Sequence, residues 1–305
     1  MTTSFKLNLR RGAVVTGKWK HSRYRVERLL GEGANGKVYL VHADRGWCAL
    51  KVGMDAIDLQ SEINVLQALE KQDRKQTYLY EVDDLLGEDG KEYPFYIMRY
   101  VRGVTISDFL DKNGPEWFPL IGLNLLGKLA ELHRRGWVFG DLKIDNVLVA
   151  DYGYVELVDY GGVTAMGKGI RQFTEIYDRG FWNAGTRSAD ARYDLFSFAV
   201  LCIMLHEPKK LHALTGGLPQ IRSTEELERL IGECKGLAPV AGWLRQALGG
   251  QFFDASEGAE AWRRLLHRRD TRVKSAKTPG WLKGLAAVSA VVLGISVYWL
   301  LRSGI

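Results

Sequence analysis

Apolar and polar positions alternate in short runs through the first part of the chain, which is the pattern of half-buried β-strands. Residues 24–30 alternate in this way, 38–41 read as a second strand, and 47–52 form a mostly apolar third strand. Residues 62–69 instead place apolar side chains at helical spacing, and 204–266 contain further runs of that kind. The pattern therefore predicts a strand-rich part followed by a helical part.

Three glycines separate the first two predicted strands in the order G-x-G-x-x-G-x-V. They are Gly31, Gly33 and Gly36, and the valine is Val38. A turn with so few side chains lets backbone N–H groups lie against phosphates. A dinucleotide-binding fold needs a helix directly after the glycines, whereas 38–41 reads as a strand. The context therefore favours a phosphate-covering hairpin over a dinucleotide site.

A lysine lies within the mostly apolar third strand. Lys51 is costly to bury without an opposite charge, so we expect a carboxylate beside it. Glu62, at the start of the predicted helix, is the expected partner, and Glu70 is the second candidate. The alternative is an edge-strand lysine whose ammonium group reaches solvent.

The segment 139–149, followed by 158–161, gathers polar residues between apolar runs. They are an acid, a base, an amide and a second acid: Asp141, Lys143, Asn146 and Asp159. A loop flanked by short strands presents such groups to one cleft, where they can meet one phosphoryl group and its metal ions. The alternative is a hairpin rich in turn residues, because Asp, Asn and Gly favour turns for backbone reasons alone.

Composition narrows the class of protein. A chain of 305 residues with 46% hydrophobic residues can bury a substantial core. The three cysteines contain no C-x-x-C pair and none of the six histidines pairs with another at ligand spacing, so neither a disulfide framework nor a zinc site is indicated. The N-terminus lacks the apolar run of a secretory signal, and a reducing cytoplasm fits the cysteine usage.

These motifs, in this order and spacing, resemble the protein kinase superfamily, specifically the bacterial serine/threonine kinases of eukaryotic type, over residues 23–266. The resemblance implies an α+β, bilobal fold with a β-rich N-lobe and a helical C-lobe. It also implies ATP and Mg²⁺ (or Mn²⁺) as cofactors, and protein substrates. The residues implied for ATP are Gly31, Gly33 and Gly36 over the phosphates, Val38 on adenine, Lys51 with Glu62, Met98 as gatekeeper, and Arg99 and Val101 at the adenine edge.

The resemblance also assigns the catalytic roles. Asp141 would accept the proton of the substrate hydroxyl, and Lys143 would neutralise the transferring phosphate. Asn146 and Asp159 would hold the metal. Asp194 matches the aspartate that anchors the catalytic loop through its backbone. Because the motif residues are present, we expect an active enzyme.

Two departures from the family pattern bear on regulation. Residues 139–140 are Phe-Gly where the family has His-Arg, so the arginine that reads a phosphorylated activation loop is missing. Activation by loop phosphorylation is therefore not expected. Thr174 keeps its place at the substrate-binding end of the activation segment, but residues 179–181 replace the usual Ala-Pro-Glu. We expect packing of Phe181 and Trp182 to replace the ion pair of that motif.

Two other functions stay open at this point. Gly-Asp at 140–141 also occurs in small-molecule phosphotransferases of the aminoglycoside and choline kinase type, which share the fold and phosphorylate metabolites. The full glycine loop, Thr174 with Tyr177, and Lys143 favour the protein kinase. The second alternative is a nucleotide-sensing membrane scaffold without transfer activity.

The chain changes character near its C-terminus. Residues 263–283 hold eight Lys or Arg residues and one acid, whereas the formal net charge of the whole chain is +6. Residues 284–301 carry no charge and, at about 1.5 Å per residue, are long enough for a bilayer core. The charge asymmetry places the kinase domain on the cytoplasmic side of the cell membrane. The predicted order is an N-terminal extension (1–22), N-lobe (23–102), C-lobe (103–266), basic juxtamembrane segment (267–283), transmembrane helix (284–301) and external tail (302–305).

The basic segment has three interpretations: topogenic charge alone, contact with anionic lipid, or contact with DNA that stimulates the kinase. The layout resembles membrane-anchored kinases of the YabT type from spore-forming bacteria, which raises the weight of the DNA interpretation. The implied contact residues are Arg263, Arg264, Arg268, Arg269, Arg272, Lys274 and Lys277. Ala286, Ala290 and Gly294 lie on one helix face at four-residue spacing, which permits close helix pairing and predicts a homodimer.

Overall fold

The computed structural model describes residues 7–33, 36–72, 77–273 and 280–302 of the chain. The chain divides into two compact units, Met1–Arg263 and Arg264–Ile305. The first unit contains a strand-rich lobe followed by a helical lobe, as the hydrophobic pattern predicts. The second unit is helical in its described part.

The described residues of the N-lobe form six strands and one helix: β1 (Val14–Thr16), β2 (Arg23–Gly33), β3 (Gly36–Ala43), β4 (Gly46–Gly53), α1 (Ala56–Gln72), β5 (Leu79–Leu86) and β6 (Glu92–Arg99). All neighbouring strands are antiparallel, in the order β1-β2-β3-β4-β6-β5. This order places β4, which carries the lysine of the predicted ATP site, between the glycine hairpin and β6.

Apolar side chains cover both faces of the N-lobe sheet. On one face Tyr39 and Leu50 belong to a cluster that also includes partly buried residues of the N-terminal segment. On the other face Tyr96 packs against Leu59, Ile63 and Leu66 of α1. Because successive side chains of a strand point to opposite faces, β6 contributes residues to both clusters. The helix α1 thereby packs over β4, β6 and β5.

The N-terminal segment is tied to this sheet by strand pairing and by backbone hydrogen bonds. The backbone N–H of Leu9 donates to the Tyr39 hydroxyl at 3.3 Å. Those of Trp19 and Lys20 donate to the buried Asp83 carboxylate at 3.0 and 2.8 Å. The sheet thus includes β1, which the predicted domain limits leave in an N-terminal extension; those limits stay a prediction.

The β-strands and α-helices in the described part of the C-lobe and its C-terminal continuation are β7 (Val104–Thr105), α2 (Ile106–Asn113), α3 (Phe118–Arg134), β8 (Trp137–Val138), β9 (Val147–Val149), β10 (Val155–Leu157), β11 (Thr164–Ala165), α4 (Ala191–His206), α5 (Pro208–Thr215), α6 (Thr224–Glu233), α7 (Ala241–Leu248) and α8 (Ala255–Val273). Every residue of α4 from Tyr193 to Met204 is buried, which explains why this stretch is apolar apart from Asp194 and Ser197. The segment 139–146 lies between β8 and β9, so the predicted loop between short strands is confirmed.

The described part of the second unit is the end of α8 and a long helix, α9 (Gly280–Arg302). Residues 284–301 are therefore helical, as predicted. A membrane crossing is not confirmed, because within the described residues the structure contains no helix that is both long and apolar enough to traverse a bilayer. Lys274 and Lys277 lie outside the described residues, as do the side chains of Arg268, Arg269, Arg272 and Ala286.

Candidate active site

The glycine segment is a hairpin between β2 and β3, as predicted. Gly31 pairs with Val38, and Gly33 pairs with Gly36. Gly36 has a φ of +144°, and a Cβ at this position would lie 2.0 Å from the carbonyl oxygen of Val52. No side chain fits there, so this glycine is required by the close approach of β3 and β4. A Cβ on Gly31 or Gly33 would meet no described residue within 4 Å, so the described part of the hairpin leaves space over these two residues.

Lys51 forms the predicted ion pair with Glu62. Its ammonium nitrogen lies 2.6 Å from Glu62 Oε2 and 2.8 Å from Asp159 Oδ1. The side chains of Lys51 and Glu62 are 6% and 4% exposed, whereas that of Asp159 is 48% exposed. Glu70 is excluded as the partner, because it accepts hydrogen bonds from the backbone of residues 78 and 79. The N-lobe lysine thus joins α1 to the segment after β10.

Burial and the ion pair act in opposite directions on these three groups. Burial raises the pKa of Glu62, and the neighbouring Lys51 ammonium opposes that rise. Burial lowers the pKa of Lys51, but the Glu62 and Asp159 carboxylates outweigh it and leave the pKa of Lys51 above its ordinary value. Burial also raises the pKa of Asp159, yet Lys51 prevails and holds that pKa low. The lysine is therefore held as a cation between two acids.

The catalytic loop brings Asp141, Lys143, Asn146 and Thr174 together. Lys143 Nζ lies 2.8 Å from Asp141 Oδ2, and the Thr174 hydroxyl donates to Asp141 Oδ1 at 2.8 Å. Lys143 Nζ is also 3.4 Å from Thr174 Oγ1. The amide of Asn146 donates to the Asp141 carbonyl oxygen at 2.8 Å. A carboxylate held between a cation and a hydroxyl has the chemistry to accept a proton from an incoming alcohol.

Asp194 anchors this loop from α4, as predicted. Its carboxylate accepts from the backbone N–H groups of Phe139 at 2.7 Å and Gly140 at 2.9 Å, and it is fully buried. The ring nitrogen Nε2 of His133 also lies 2.9 Å from Asp194 Oδ2. Sequence patterns do not reveal this histidine's role, because His133 and Asp194 are 61 positions apart and meet only in the folded chain.

Gly140 replaces the arginine of the family pattern for a steric reason. Its φ is +81°, and a Cβ at this position would lie 2.5 Å from the carbonyl oxygen of Gly162. A Cβ on Gly162 would in turn lie 2.8 Å from Asp141 Cβ. The catalytic loop and the segment after Asp159 therefore approach each other backbone to backbone. A side chain at either glycine would push these two segments apart.

Asn146 and Asp159 present oxygen atoms suited to a hard divalent cation. Asn146 uses its amide nitrogen toward Asp141, so its carbonyl oxygen stays available, and Asp159 uses one carboxylate oxygen toward Lys51. Mg²⁺ and Mn²⁺ prefer carboxylate and carbonyl oxygens, and Mg²⁺ sites of this kind take further ligands from substrate phosphates. The residues present therefore fit the metal. Within the described residues no group of three or more His, Cys, Asp or Glu side chains forms a metal cluster elsewhere.

The residues predicted for adenine lie at the end of β6. Met98 pairs with Ala49 of β4 and packs against the α1 side of the sheet. Arg99 ends the strand, and its guanidinium lies 3.2 Å from Glu156. The backbone N–H of Val101 has no hydrogen-bond partner among the described residues, so it is free to donate to a ligand.

The end of the activation segment is fastened by ion pairs as well as by packing. Phe181 and Trp182 are buried, as expected. However, Arg187 Nε lies 2.7 Å from Asp178 Oδ2, and Arg179 Nη2 lies 2.6 Å from Asp190 Oδ2. The expectation that packing replaces the ion pair is therefore incomplete. Two ion pairs cross between residues 178–179 and 187–190, and Asp190 also caps α4.

Comparison with known proteins identifies the family. The sequence profile of the protein kinase domain matches residues 24–229, which is more than half of the chain. The chain belongs to the protein kinase family. Over 259 residues this kinase is 35% identical to the serine/threonine-protein kinase YabT of Bacillus subtilis, an alignment that covers 84% of this chain and 75% of that protein. These matches confirm a protein serine/threonine kinase that binds ATP, and they set aside the small-molecule phosphotransferase and the inactive scaffold.

More distant relatives share parts of this kinase. It is 25% identical over 164 residues to the serine/threonine-protein kinase PrkC of Bacillus subtilis, covering 50% of this chain and 24% of that protein. Among solved structures, vaccinia related kinase 3 matches with a TM-score of 0.58 at 16% identity, over 89% of this chain and 94% of that chain. At this identity the likeness shows the fold alone, which is the bilobal kinase fold.

Proposed function

We propose that this kinase phosphorylates serine or threonine through an active site that is assembled without a phosphate on the activation segment. The observation that carries the proposal is the simultaneous presence of two clusters. Lys51 bridges Glu62 and Asp159 at 2.6 and 2.8 Å, and Asp141 is held by Lys143 and Thr174, each at 2.8 Å. In kinases both the Lys–Glu pair and the metal-binding aspartate must be in place for transfer.

Each group then has one task. Asp141 accepts the proton of the substrate hydroxyl, and Lys143 neutralises charge on the transferring phosphoryl group. Lys51 holds the nucleotide phosphates under the β2–β3 hairpin. Asn146 and Asp159 hold Mg²⁺ or Mn²⁺, which neutralises phosphate charge when bound. Positioning and charge neutralisation supply most of the rate acceleration, because the loose transition state of phosphoryl transfer requires little covalent chemistry from the protein.

Elsewhere in the family, the arginine before the catalytic aspartate binds a phosphate on the activation loop. In this kinase Gly140 stands at that position, and other contacts hold the same segments. Gly140 leaves no guanidinium to read a phosphorylated loop, and Asp194 already holds the backbone of residues 139 and 140. The ion pairs of Asp178 with Arg187 and of Arg179 with Asp190 fix the end of the activation segment. Both arginines are thus engaged by aspartates of the same segment, which supports a site that needs no phosphate to assemble.

A transfer assay with a matched variant tests the proposal. The wild-type protein, incubated with ATP, Mg²⁺ and a generic basic protein, should transfer phosphate to serine or threonine. The Asp141→Asn variant should lose at least about 10²-fold in kcat, the usual contribution of a positioned proton acceptor. Its unfolding temperature should match that of the wild-type protein. Equal rates for the two proteins would rule out Asp141 as the acceptor.

We further propose that α9 attaches the kinase to a membrane, with the catalytic unit on the cytoplasmic side. Support comes from the uncharged run 284–301, from the basic residues before it, and from large apolar side chains of α9 that are exposed. Leu285, Val292 and Trp299, for example, are 56%, 56% and 67% exposed. A helix with this much exposed apolar surface is stabilised when that surface is buried against another protein or in a membrane. A homodimer through the face of Ala286, Ala290 and Gly294 belongs to the same proposal.

We propose, finally, that DNA or anionic lipid contacts the basic segment and that DNA stimulates transfer. The sequence supplies the support, with eight Lys or Arg residues and one acid at 263–283. Within the described residues, Arg263 and Arg264 are exposed and form no ion pair. Unpaired arginines bind phosphate groups without regard to base sequence, and such binding weakens as salt rises.

A further inference from the structure

A tyrosine lies directly beside the Lys51–Glu62 ion pair. Tyr96 of β6 is the register partner of Lys51 on the antiparallel strand β4, so both side chains leave the sheet on the face covered by α1. Tyr96 is fully buried and packs against Leu59, Ile63 and Leu66 of that helix. The Tyr96 hydroxyl therefore lies in the same solvent-excluded region as the Glu62 carboxylate.

This hydroxyl has no hydrogen-bond partner of normal geometry among the described residues. Burial, followed by the neighbouring Glu62 carboxylate, raises the pKa of Tyr96 well above its ordinary value, so the phenol keeps its proton. A buried hydroxyl without a partner is unfavourable, and a phenylalanine would fill the same space without that cost. Tyr96 is thus a neutral donor next to Glu62, close enough to affect the pKa of its carboxylate, and no hydrogen bond of normal geometry joins the two in this structure.

The contacts of Lys51 explain why a second hydrogen-bond donor beside Glu62 would stabilise the site. Its ammonium group has three N–H donors, and in this structure it contacts Glu62 and Asp159. When ATP binds in the proposed site, Lys51 must turn N–H donors toward the phosphates. Glu62 then loses part of the interaction that offsets its burial. A second donor within reach of the carboxylate would replace what the lysine gives up.

We propose that Tyr96 is a positioning residue that donates its O–H to Glu62 in the nucleotide-bound kinase. It acts on the reaction through Glu62 and Lys51, without touching substrate or nucleotide. The bond holds Glu62, and with it α1, against the sheet while Lys51 engages the phosphates. This proposal rests on the assignment of Lys51 to the ATP phosphates.

The Tyr96→Phe variant tests the proposal because it removes only the hydroxyl. We expect its KM for ATP to rise about tenfold, which corresponds to one hydrogen bond to a charged group. We expect kcat to stay within about twofold, because the bond is present in both the bound ground state and the transition state. The unfolding temperature of the nucleotide-free protein should stay equal or rise, and its increase on adding ATP and Mg²⁺ should shrink.

A second buried tyrosine provides the matched control. Tyr39 of β3 is fully buried on the opposite face of the sheet, and its hydroxyl already accepts from Leu9 N–H at 3.3 Å. Tyr39→Phe should lower the unfolding temperature of the nucleotide-free protein and leave KM for ATP unchanged. Tyr96→Phe should therefore raise KM for ATP without lowering the unfolding temperature, whereas Tyr39→Phe should lower the unfolding temperature without changing KM for ATP.

A double-mutant cycle makes the outcome independent of either variant's overall stability. In the Glu62→Gln background, Tyr96→Phe should raise KM for ATP by much less than it does alone, because the charged acceptor is gone. Equal effects in both backgrounds, or a Tyr96→Phe protein with lower stability and unchanged KM, would overturn the proposal. If the wild-type protein itself showed no stabilisation by ATP, the assignment of the nucleotide site would fail, and the role of Tyr96 with it.

Discussion

Gly140 shows how one residue combines a backbone requirement with a regulatory one. Its φ of +81° is in the left-handed region, and the Gly162 carbonyl oxygen occupies the place of a Cβ. The next residue along the chain is the proton acceptor Asp141. The absence of an arginine here is therefore a consequence of how closely two loops of the active site approach.

Replacing Gly140 with alanine should damage both stability and catalysis. The left-handed conformation costs roughly 1–2 kcal/mol for a residue with a Cβ, and the contact with Gly162 adds to that cost. We expect the free energy of unfolding to fall by about 3 kcal/mol and kcat to fall at least about tenfold, because a shift of Asp141 by a fraction of an ångström misaligns the proton transfer. Denaturant unfolding and steady-state kinetics measure the two effects.

Gly136 offers the matched control for this substitution. Its φ is +79°, but a Cβ there would meet nothing within 4 Å. Gly136→Ala should therefore cost about 1–2 kcal/mol from the backbone alone and leave kcat unchanged. If both alanine variants behaved alike, the close approach of Gly140 to Gly162 would have no energetic importance.

Sequence reasoning located most single residues of the site, because their spacing within short motifs is preserved by local structure. The pairing of Lys51 with Glu62 and the anchoring role of Asp194 are both present in the structure. The sequence pattern does not place Tyr96 in the site, because its position opposite Lys51 depends on β6 lying next to β4 in the sheet. No periodicity within either strand carries that information.

At the scale of elements, the end of the activation segment depends on one buried carboxylate. Asp178 accepts from the backbone N–H groups of Gly180 and Phe181, from Arg187 Nε and from the Tyr193 hydroxyl, at 2.7 to 3.1 Å. Its side chain is 0% exposed, whereas that of Arg187 is 47% exposed. The two members of this ion pair should therefore differ in importance.

Removing the buried member should cost far more than removing the exposed one. Asp178→Ala leaves the Tyr193 hydroxyl and two backbone N–H groups without an acceptor, so we expect a loss of about 3 kcal/mol in the free energy of unfolding. Arg187→Met should cost about 1 kcal/mol or less, because a half-exposed guanidinium is well hydrated in either state. Equal losses in denaturant unfolding would contradict this account of the segment.

The sequence could not predict these ion pairs. Residues 178–190 have no regular secondary structure and hence no periodicity from which to infer which side chains meet. What the pattern did indicate was the apolar anchor of Phe181 and Trp182, which is present. The helix α4 was predictable for the opposite reason, since a long apolar run bounded by polar residues has few alternatives to a buried helix.

At the scale of the whole molecule, we assign catalysis and membrane attachment to different parts of the chain. The kinase profile matches residues 24–229, within the first compact unit, whereas α9 lies in the second. Large apolar side chains of α9, among them Leu285 and Val292, are exposed. The second unit is therefore where we place attachment and regulation.

We predict that the full-length kinase sediments with membranes and stays there after washing at high salt. A variant that ends after residue 283 should remain in the supernatant and retain the transfer activity, because the active-site residues all lie in the first unit. Full-length protein found in the supernatant would contradict the membrane proposal.

A variant with fewer basic residues tests the DNA proposal. Double-stranded DNA at low salt should raise the transfer rate of the wild-type kinase, and the increase should vanish as salt rises. A variant with alanine at Arg263, Arg264, Arg268 and Arg269 should keep the basal rate and lose the stimulation. An unchanged response in that variant would remove the basic segment from the account.

The central claim is that the active site is complete before any phosphate reaches the activation segment, and a progress curve tests it most directly. Wild-type kinase is treated with a phosphatase, confirmed by mass spectrometry to carry no phosphate, and mixed with ATP, Mg²⁺ and a protein substrate. We predict a linear curve from the first time point at the same rate as untreated enzyme, and no product from Asp141→Asn. A lag that disappears after preincubation with ATP alone would contradict the claim.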